Sequence, residues 1–281
     1  MHEWALLIFT ICLQAAIGGA LMLTIFYKKI STLDAKKSFQ AMKLPLIAVA
    51  VLTVVGLGAS FAHLGTPTNA LNTLRNFGSS WMSREIVFTG LFIIAVFVTL
   101  GLALAKKKVS FPALLITSII GLIDIFCMAS IYTNSLVSGW NSVNTFTSFY
   151  GSALIIGPVL VVSLMVPVLR DEKFENLSQS LVKYAFYLSI IGIAVQLVGL
   201  AVFAASIPEI TMIGATDALT ILDGYQSTVV ARWIIELIGA GILGYLALSY
   251  NRKAASLAIV SLLALITAEG MSRYLFFLLG A

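Results

Sequence analysis

His63 and Glu85 have side chains suited to exchanging a proton with a bound molecule. His63 closes one apolar run in the string FAHLGTPTNALNTL, and Glu85 opens the next in WMSREIVF. Imidazole gains and loses a proton near neutral pH, and a carboxylate within reach can accept that proton or pass it on. Gly65 and Pro67 break the helix after His63 and leave it at a helix mouth. The two residues bracket one loop, so adjacent antiparallel helices can bring them together. Simpler roles exist for each. His63 can be an interfacial histidine bonded to a loop carbonyl. Glu85 can be a first-turn carboxylate that the helix dipole stabilises by about 0.3–1 kcal/mol. Arg84, beside Glu85, can meet an acidic partner surface or anchor at the headgroups.

The other charges inside apolar runs are few. Arg232 and Glu236 are four residues apart, as are Glu269 and Arg273, and that spacing puts each pair on one helix face. An unpaired charge at a membrane helix centre costs roughly 2.5–3.5 kcal/mol, so neutralisation within each pair is the simplest reading and a proton path the alternative. Asp124 has no partner on its own helix. It either belongs to a proton path or is protonated and bonded to a neighbouring helix. The uncharged segment at 131–152, rich in Ser, Thr, Asn and aromatics, can dock another protein or line a quinone-sized cleft. Cys12 and Cys127, the two cysteines, lie in apolar runs and read as small buried hydrophobes; an iron–sulfur cluster usually takes four thiolates. A membrane haem held by two facing histidines is disfavoured, because the second histidine is His2. No motif calls for a bound metal, a nucleotide or a flavin, so a redox role would use a diffusible carrier and a partner's cofactors.

These residues sit in a sequence of 281 residues that is 60% hydrophobic and 10% charged, with a mean hydropathy of +1.03. Soluble domains carry about 25% charged residues. Apolar runs long enough to cross a hydrocarbon core of about 30 Å recur along the sequence, and uninterrupted runs in lipid read as helices. The expected architecture is all-α, a single domain over 1–281 with helices near 5–27, 44–62, 86–105, 111–133, 151–169, 183–205, 230–250 and 255–278. No Lys or Arg precedes the first run and no cleavage site is evident, which predicts a retained first helix rather than a signal peptide. Four of the 17 basic residues, Arg75, Arg84, Arg232 and Arg273, fall on one face; the loops after helices one, three, five and seven hold the others. The positive-inside rule puts the basic loops in the cytoplasm and both termini outside. The net charge of +5 is thus a topology signal, with no nucleic-acid partner implied. No internal repeat is evident by eye.

The strings HEWALLIFT at 2–10, HLGTPTNALNTL at 63–74, SREI at 83–86, YTNS at 132–135, GP at 157–158, RW at 232–233 and AEGMSRYLFF at 268–277 resemble the membrane anchor, or C subunit, of anaerobic dimethyl sulfoxide reductase. The resemblance implies an anchor in the bacterial inner membrane that carries an iron–sulfur subunit and a molybdopterin catalytic subunit. It also implies that menaquinol is oxidised at the anchor, with electrons passing to the nearest cluster. The family's functional histidine falls on His63 and its functional glutamate on Glu85. Gly65, Pro67 and Arg84 complete the expected quinol-binding set. The readings to be separated are a quinol-oxidising anchor, a polytopic transporter or ion translocator using Asp124 and the Arg–Glu pairs, and a passive anchor.

Overall fold

The structure, a computed structural model, describes residues 4–63, 74–137, 139–212, 223–249 and 254–279; at 63, 74 and 206–212 the description is of the backbone. The described residues form eight long helices and no strand: α1 (Trp4–Ile30), α2 (Ala35–His63), α3 (Trp81–Lys106), α4 (Phe111–Thr133), α5 (Val143–Met165), α6 (Glu175–Met212), α7 (Gln226–Leu248) and α8 (Ala254–Leu278). Each is long and apolar enough to cross a membrane. Many large apolar side chains point outward, among them Ile94, Val98, Ile116, Val198, Leu237 and Leu263. Lipid is the solvent for such a surface.

Several helices start earlier than the apolar runs suggest. α2 begins at Ala35, not near 44, because Asp34 caps it, its Oδ1 accepting from the Lys37 backbone N–H at 2.9 Å. It then runs through Pro45. α3 begins at Trp81, where the Ser80 hydroxyl accepts from the Ser83 N–H, so Glu85 lies inside the first turns. α5 begins at Val143, capped by Ser142, which shortens the expected 134–150 loop. Polar caps outside the hydropathy signal set these boundaries.

The helices pack as two rings of four. In the first, α1 touches α2, α2 touches α3, α3 touches α4, and α4 returns to α1. In the second, α5, α6, α7 and α8 close in the same order. The rings meet chiefly along α1 and α5. A Cβ on Gly18 would lie 1.9 Å from the Ala153 carbonyl oxygen, and one on Gly157 would lie 2.2 Å from the Gly18 carbonyl carbon. Only glycine lets the two backbones approach this closely, the small-residue contact by which membrane helices associate without a hydrophobic drive between them. The grouping into rings escapes a reading of the sequence because it depends on which helices are neighbours in space.

The two ends differ. At the lysine-rich end, Lys29 donates to the Ser180 hydroxyl at 3.0 Å and Lys37 approaches Asp171 at 3.8 Å, fastening α1 to α6 and α2 to the segment entering α6. Below lies an apolar core of Met22, Phe26, Met42, Leu181 and Leu246 among others. Toward the lysine-poor end the buried residues include carboxylates, guanidiniums and amides. The candidate chemistry sits there.

Candidate functional site

α2 ends at His63 on the lysine-poor face, and α3 starts on that face at Trp81. The His63 imidazole, Gly65 and Pro67 lie outside the described side chains and residues. Arg84 is half-buried and turned to the loop. Its Nε donates to the Phe77 carbonyl at 3.0 Å and its Nη2 to the Gly78 carbonyl at 2.6 Å. The guanidinium also lies 4.2 Å from the Trp81 ring centroid. Arg84 thus fixes the loop that enters α3 and leaves the neighbouring carboxylate to face elsewhere.

Glu85 faces α4. It is half-buried and lies within electrostatic reach of Asp124, which is fully buried. Thr89, one turn below Glu85, donates its hydroxyl to both oxygens of Asp124 at 3.0 and 3.1 Å. Asp124 therefore bonds to a neighbouring helix. Among the described residues neither carboxylate has an ion-pair partner. Trp81, Phe126 and Phe146 pack beside these acids, Trp81 edge-on to Phe126 and Phe146 tilted against it, with centroids 5.7 and 5.3 Å apart. The Tyr150 hydroxyl donates to the Leu122 carbonyl at 2.8 Å. An unneutralised carboxylate at a membrane-helix mouth, leading to a second one deeper in, can take up a proton and pass it along a short path.

The second ring places acids on its corresponding helices, Glu236 on α7 and Glu269 on α8. Asp124 and Glu269 each lie nine residues before their helix ends, at Thr133 and Leu278. Here, however, the acids are neutralised. Arg232 Nη2 lies 3.2 Å from Glu236 and 3.9 Å from Glu269, and it donates to the Gln196 carbonyl oxygen. Gln196 donates to Glu269 at 2.9 Å, and Ser152 donates to the other oxygen of Glu269 at 2.5 Å. Arg273 Nη2 donates to Ser152 at 3.2 Å and to Gln14 at 2.9 Å, while its guanidinium covers the Phe149 ring at 3.8 Å. Arg232 and Glu236 thus pair within α7. Glu269 and Arg273, by contrast, are joined through Ser152 on α5 and not by a direct ion pair. Two charge pairs read separately in the sequence are one network crossing α1, α5, α6, α7 and α8.

The aromatic segment after α4 turns inward. Trp140 donates its indole N–H to the Phe276 carbonyl at 2.6 Å, and Tyr132 and Trp140 pack against Phe276 and Phe277. They lock the end of α8 onto the loop. A small cavity, about 160 Å³, lies beside the network, among α5, α6, α7 and α8.

A family profile described as the DMSO reductase anchor subunit (DmsC) matches residues 1–279. This protein belongs to the DMSO reductase anchor subunit family. The C subunit of the anaerobic dimethyl sulfoxide reductase of Haemophilus influenzae is 28% identical over 284 residues, covering 99% of this sequence and 94% of that one. The anaerobic dimethyl sulfoxide reductase subunit YnfH of Escherichia coli K12 is 26% identical over 98% of this sequence and 94% of its own length. The C subunit of the Escherichia coli K12 anaerobic dimethyl sulfoxide reductase is 32% identical over 57% of this sequence and 56% of its own. No solved structure matches.

Within this anchor, sequence reading finds the charged residues and misses the neutral ones that connect them. Thr89, Gln14, Ser152 and Gln196 all bond buried charges. Gln14 and Gln196 carried the one available signal, an uncharged amide within an apolar run. No group of three or more His, Cys, Asp or Glu able to hold a metal occurs among the described residues.

Proposed function

We propose that this anchor binds menaquinol at the lysine-poor mouth of α2 and α3 and oxidises it, passing electrons to an iron–sulfur subunit and from there to a molybdopterin catalytic subunit. The observation that carries the reading is Glu85. In an anchor of the DMSO reductase family, it is a carboxylate without an ion-pair partner among the described residues, at the face where α2 ends in His63, and it lies within electrostatic reach of Asp124, which Thr89 bonds. The positive-inside rule puts this face outside the cytoplasm of a bacterial inner membrane. The soluble subunits dock there, and the anchor folds as one unit around the two rings.

Oxidation of a quinol to a quinone releases two electrons and two protons. The electrons leave to the partner's nearest cluster. The protons need a base within about 2.6–3.2 Å of the ring hydroxyls. His63 takes the first position, and Glu85 accepts or relays the proton toward the outer face. Gly65 and Pro67 set the loop over the ring, and Arg84 holds that loop by its two carbonyl contacts. A transporter would need a polar path across the whole membrane. The apolar core at the lysine-rich end supports a site open to one face.

The test is titration of membranes holding the assembled complex with a fluorescent quinol-analogue inhibitor. Stoichiometric quenching in wild type, lost in His63→Ala and Glu85→Gln, supports the reading. Quenching unchanged in both variants moves the site elsewhere, and none in wild type leaves a passive anchor.

A further inference from the structure

We propose that the lysine-rich end of the seam between α2 and α3 holds an anionic phospholipid, its phosphate at Lys43 and Lys107 and an acyl chain in the groove beyond them. The site lies at the opposite end of the first ring from the Glu85 mouth and does not rest on the quinol reading.

The groove has a volume of about 330 Å³. Ile47, Val51, Val54 and Val55 of α2 line it with Phe97 and Leu100 of α3. Every residue lining it is apolar, and Val51, Val54 and Phe97 are about half exposed. A lipid chain suits such walls, since hydrocarbon asks for no hydrogen bond.

Charge stands at one end of this groove. Lys43 precedes Ile47 by four residues on α2, and Lys107 follows Leu100 by seven at the end of α3. Both spacings return to the same helix face. Lys107, with φ 51°, carries its Nζ to 5.6 Å from the Phe39 ring centroid, and Phe39 lies one turn before Lys43 on α2. The two lysines therefore reach the seam from its two helices. Both are exposed, and among the described residues neither has an ion-pair partner. Lys37, by contrast, is drawn to Asp171.

The depth also fits. At about 1.5 Å per residue, the groove runs from about 6 to about 18 Å beyond Lys43 along α2, and Leu100 and Phe97 lie about 10 and about 15 Å from Lys107. One leaflet of hydrocarbon is about 15 Å deep, half of a core of about 30 Å. The groove thus starts just below the headgroup level and ends near the bilayer middle, the reach of one acyl chain. Topology requires only that the lysines lie on this side; it does not require that two of them stand at the end of an apolar groove. Basic pockets between membrane helices take anionic headgroups. A zwitterionic lipid brings its own cation and fits less well. Among the described residues no ion pair joins α2 to α3, so the lipid bridges two helices that charge leaves untied.

The test titrates the assembled complex, delipidated in a neutral detergent, with phosphatidylglycerol or with phosphatidylcholine of the same chains. Native mass spectrometry counts bound lipid, and the thermal midpoint is followed in parallel. Wild type is expected to hold a phosphatidylglycerol at least about tenfold more tightly than phosphatidylcholine, and its midpoint rises with the anionic lipid. Lys43→Gln and Lys107→Gln should each weaken that lipid about fivefold, and together about thirtyfold. Lys173→Gln, an exposed lysine on the segment entering α6, should leave it unchanged, as should Glu85→Gln. Val51→Phe, which fills the groove from its exposed wall, should remove it, with Val54→Phe the second filling variant should the first fail to assemble. Phosphatidylglycerol that binds the double lysine variant as tightly as wild type, or that Lys173→Gln weakens equally, overturns the proposal. So does binding that survives both filling variants, equal uptake of phosphatidylcholine, or a groove that takes a neutral polyprenyl chain without regard to either lysine.

Discussion

The two rings of this anchor each carry acids on their third and fourth helices, but they surround those acids differently. In α3 and α4, Glu85 and Asp124 have a threonine and each other. In α7 and α8, Glu236 and Glu269 are enclosed by Arg232, Arg273, Gln196 and Ser152, with Gln14 reaching in from the first ring. The hydrogen bonds and ion pairs of the second ring tie its helices to one another and to α1, although neither Glu236 oxygen accepts a hydrogen bond. Among the described residues no ion pair reaches Glu85 or Asp124. One half of the molecule is therefore tied by charge, and in the proposed function the other exchanges protons.

Removing a member of the network should produce the largest effect. Arg273→Leu strips Gln14 and Ser152 of their shared donor and leaves two acids with one arginine, a loss of about 3–5 kcal/mol. Thermal unfolding and size-exclusion profiles in detergent should show it, and Arg273→Leu combined with Glu269→Leu should recover most of the loss. A melting curve for Arg273→Leu that overlays wild type would break the contrast between the halves.

The seam between the rings comes next. Gly157→Ala puts a methyl group against the backbone of Gly18, and overpacking of this kind costs about 1–3 kcal/mol. The variant should melt earlier, with each ring's helix content retained, as read by circular dichroism alongside crosslinking of α1 to α5. Smaller again is Thr89→Val, which removes the donor to Asp124 and should cost about 0.6–1.7 kcal/mol, the range measured for hydrogen bonds between membrane helices. Its effect on quinol oxidation should exceed its effect on melting, because Thr89 holds Asp124 beside Glu85.

The eight helices were legible because hydropathy alone demands them, and the basic loops gave their expected direction. Helix starts were less so: Asp34, Ser80 and Ser142 act as caps through polar side chains that hydropathy averages away. Of the candidate site, Glu85, Asp124 and both arginine–glutamate pairs could be picked out as charges in apolar surroundings. Their grouping could not. That Glu269 meets Arg273 through Ser152, and Arg232 through Gln196, depends on which helices are neighbours in space. The closure of α5 through α8 into a ring has no signature along one sequence. The pairing of Arg84 with loop carbonyls was likewise hidden, since it depends on the backbone path at Phe77 and Gly78.

The most direct test of the division between the halves is the rate of quinol oxidation per assembled complex, measured in parallel for Glu85→Gln and Glu269→Gln. Glu85→Gln should assemble normally and lose about 10²-fold or more in rate, the low end of what a positioned acid–base group contributes. Glu269→Gln should yield less assembled complex while each surviving complex turns over at close to the wild-type rate. If Glu269→Gln abolishes turnover in well-assembled complex and Glu85→Gln leaves it intact, quinol is oxidised in the second ring and the assignment is contradicted.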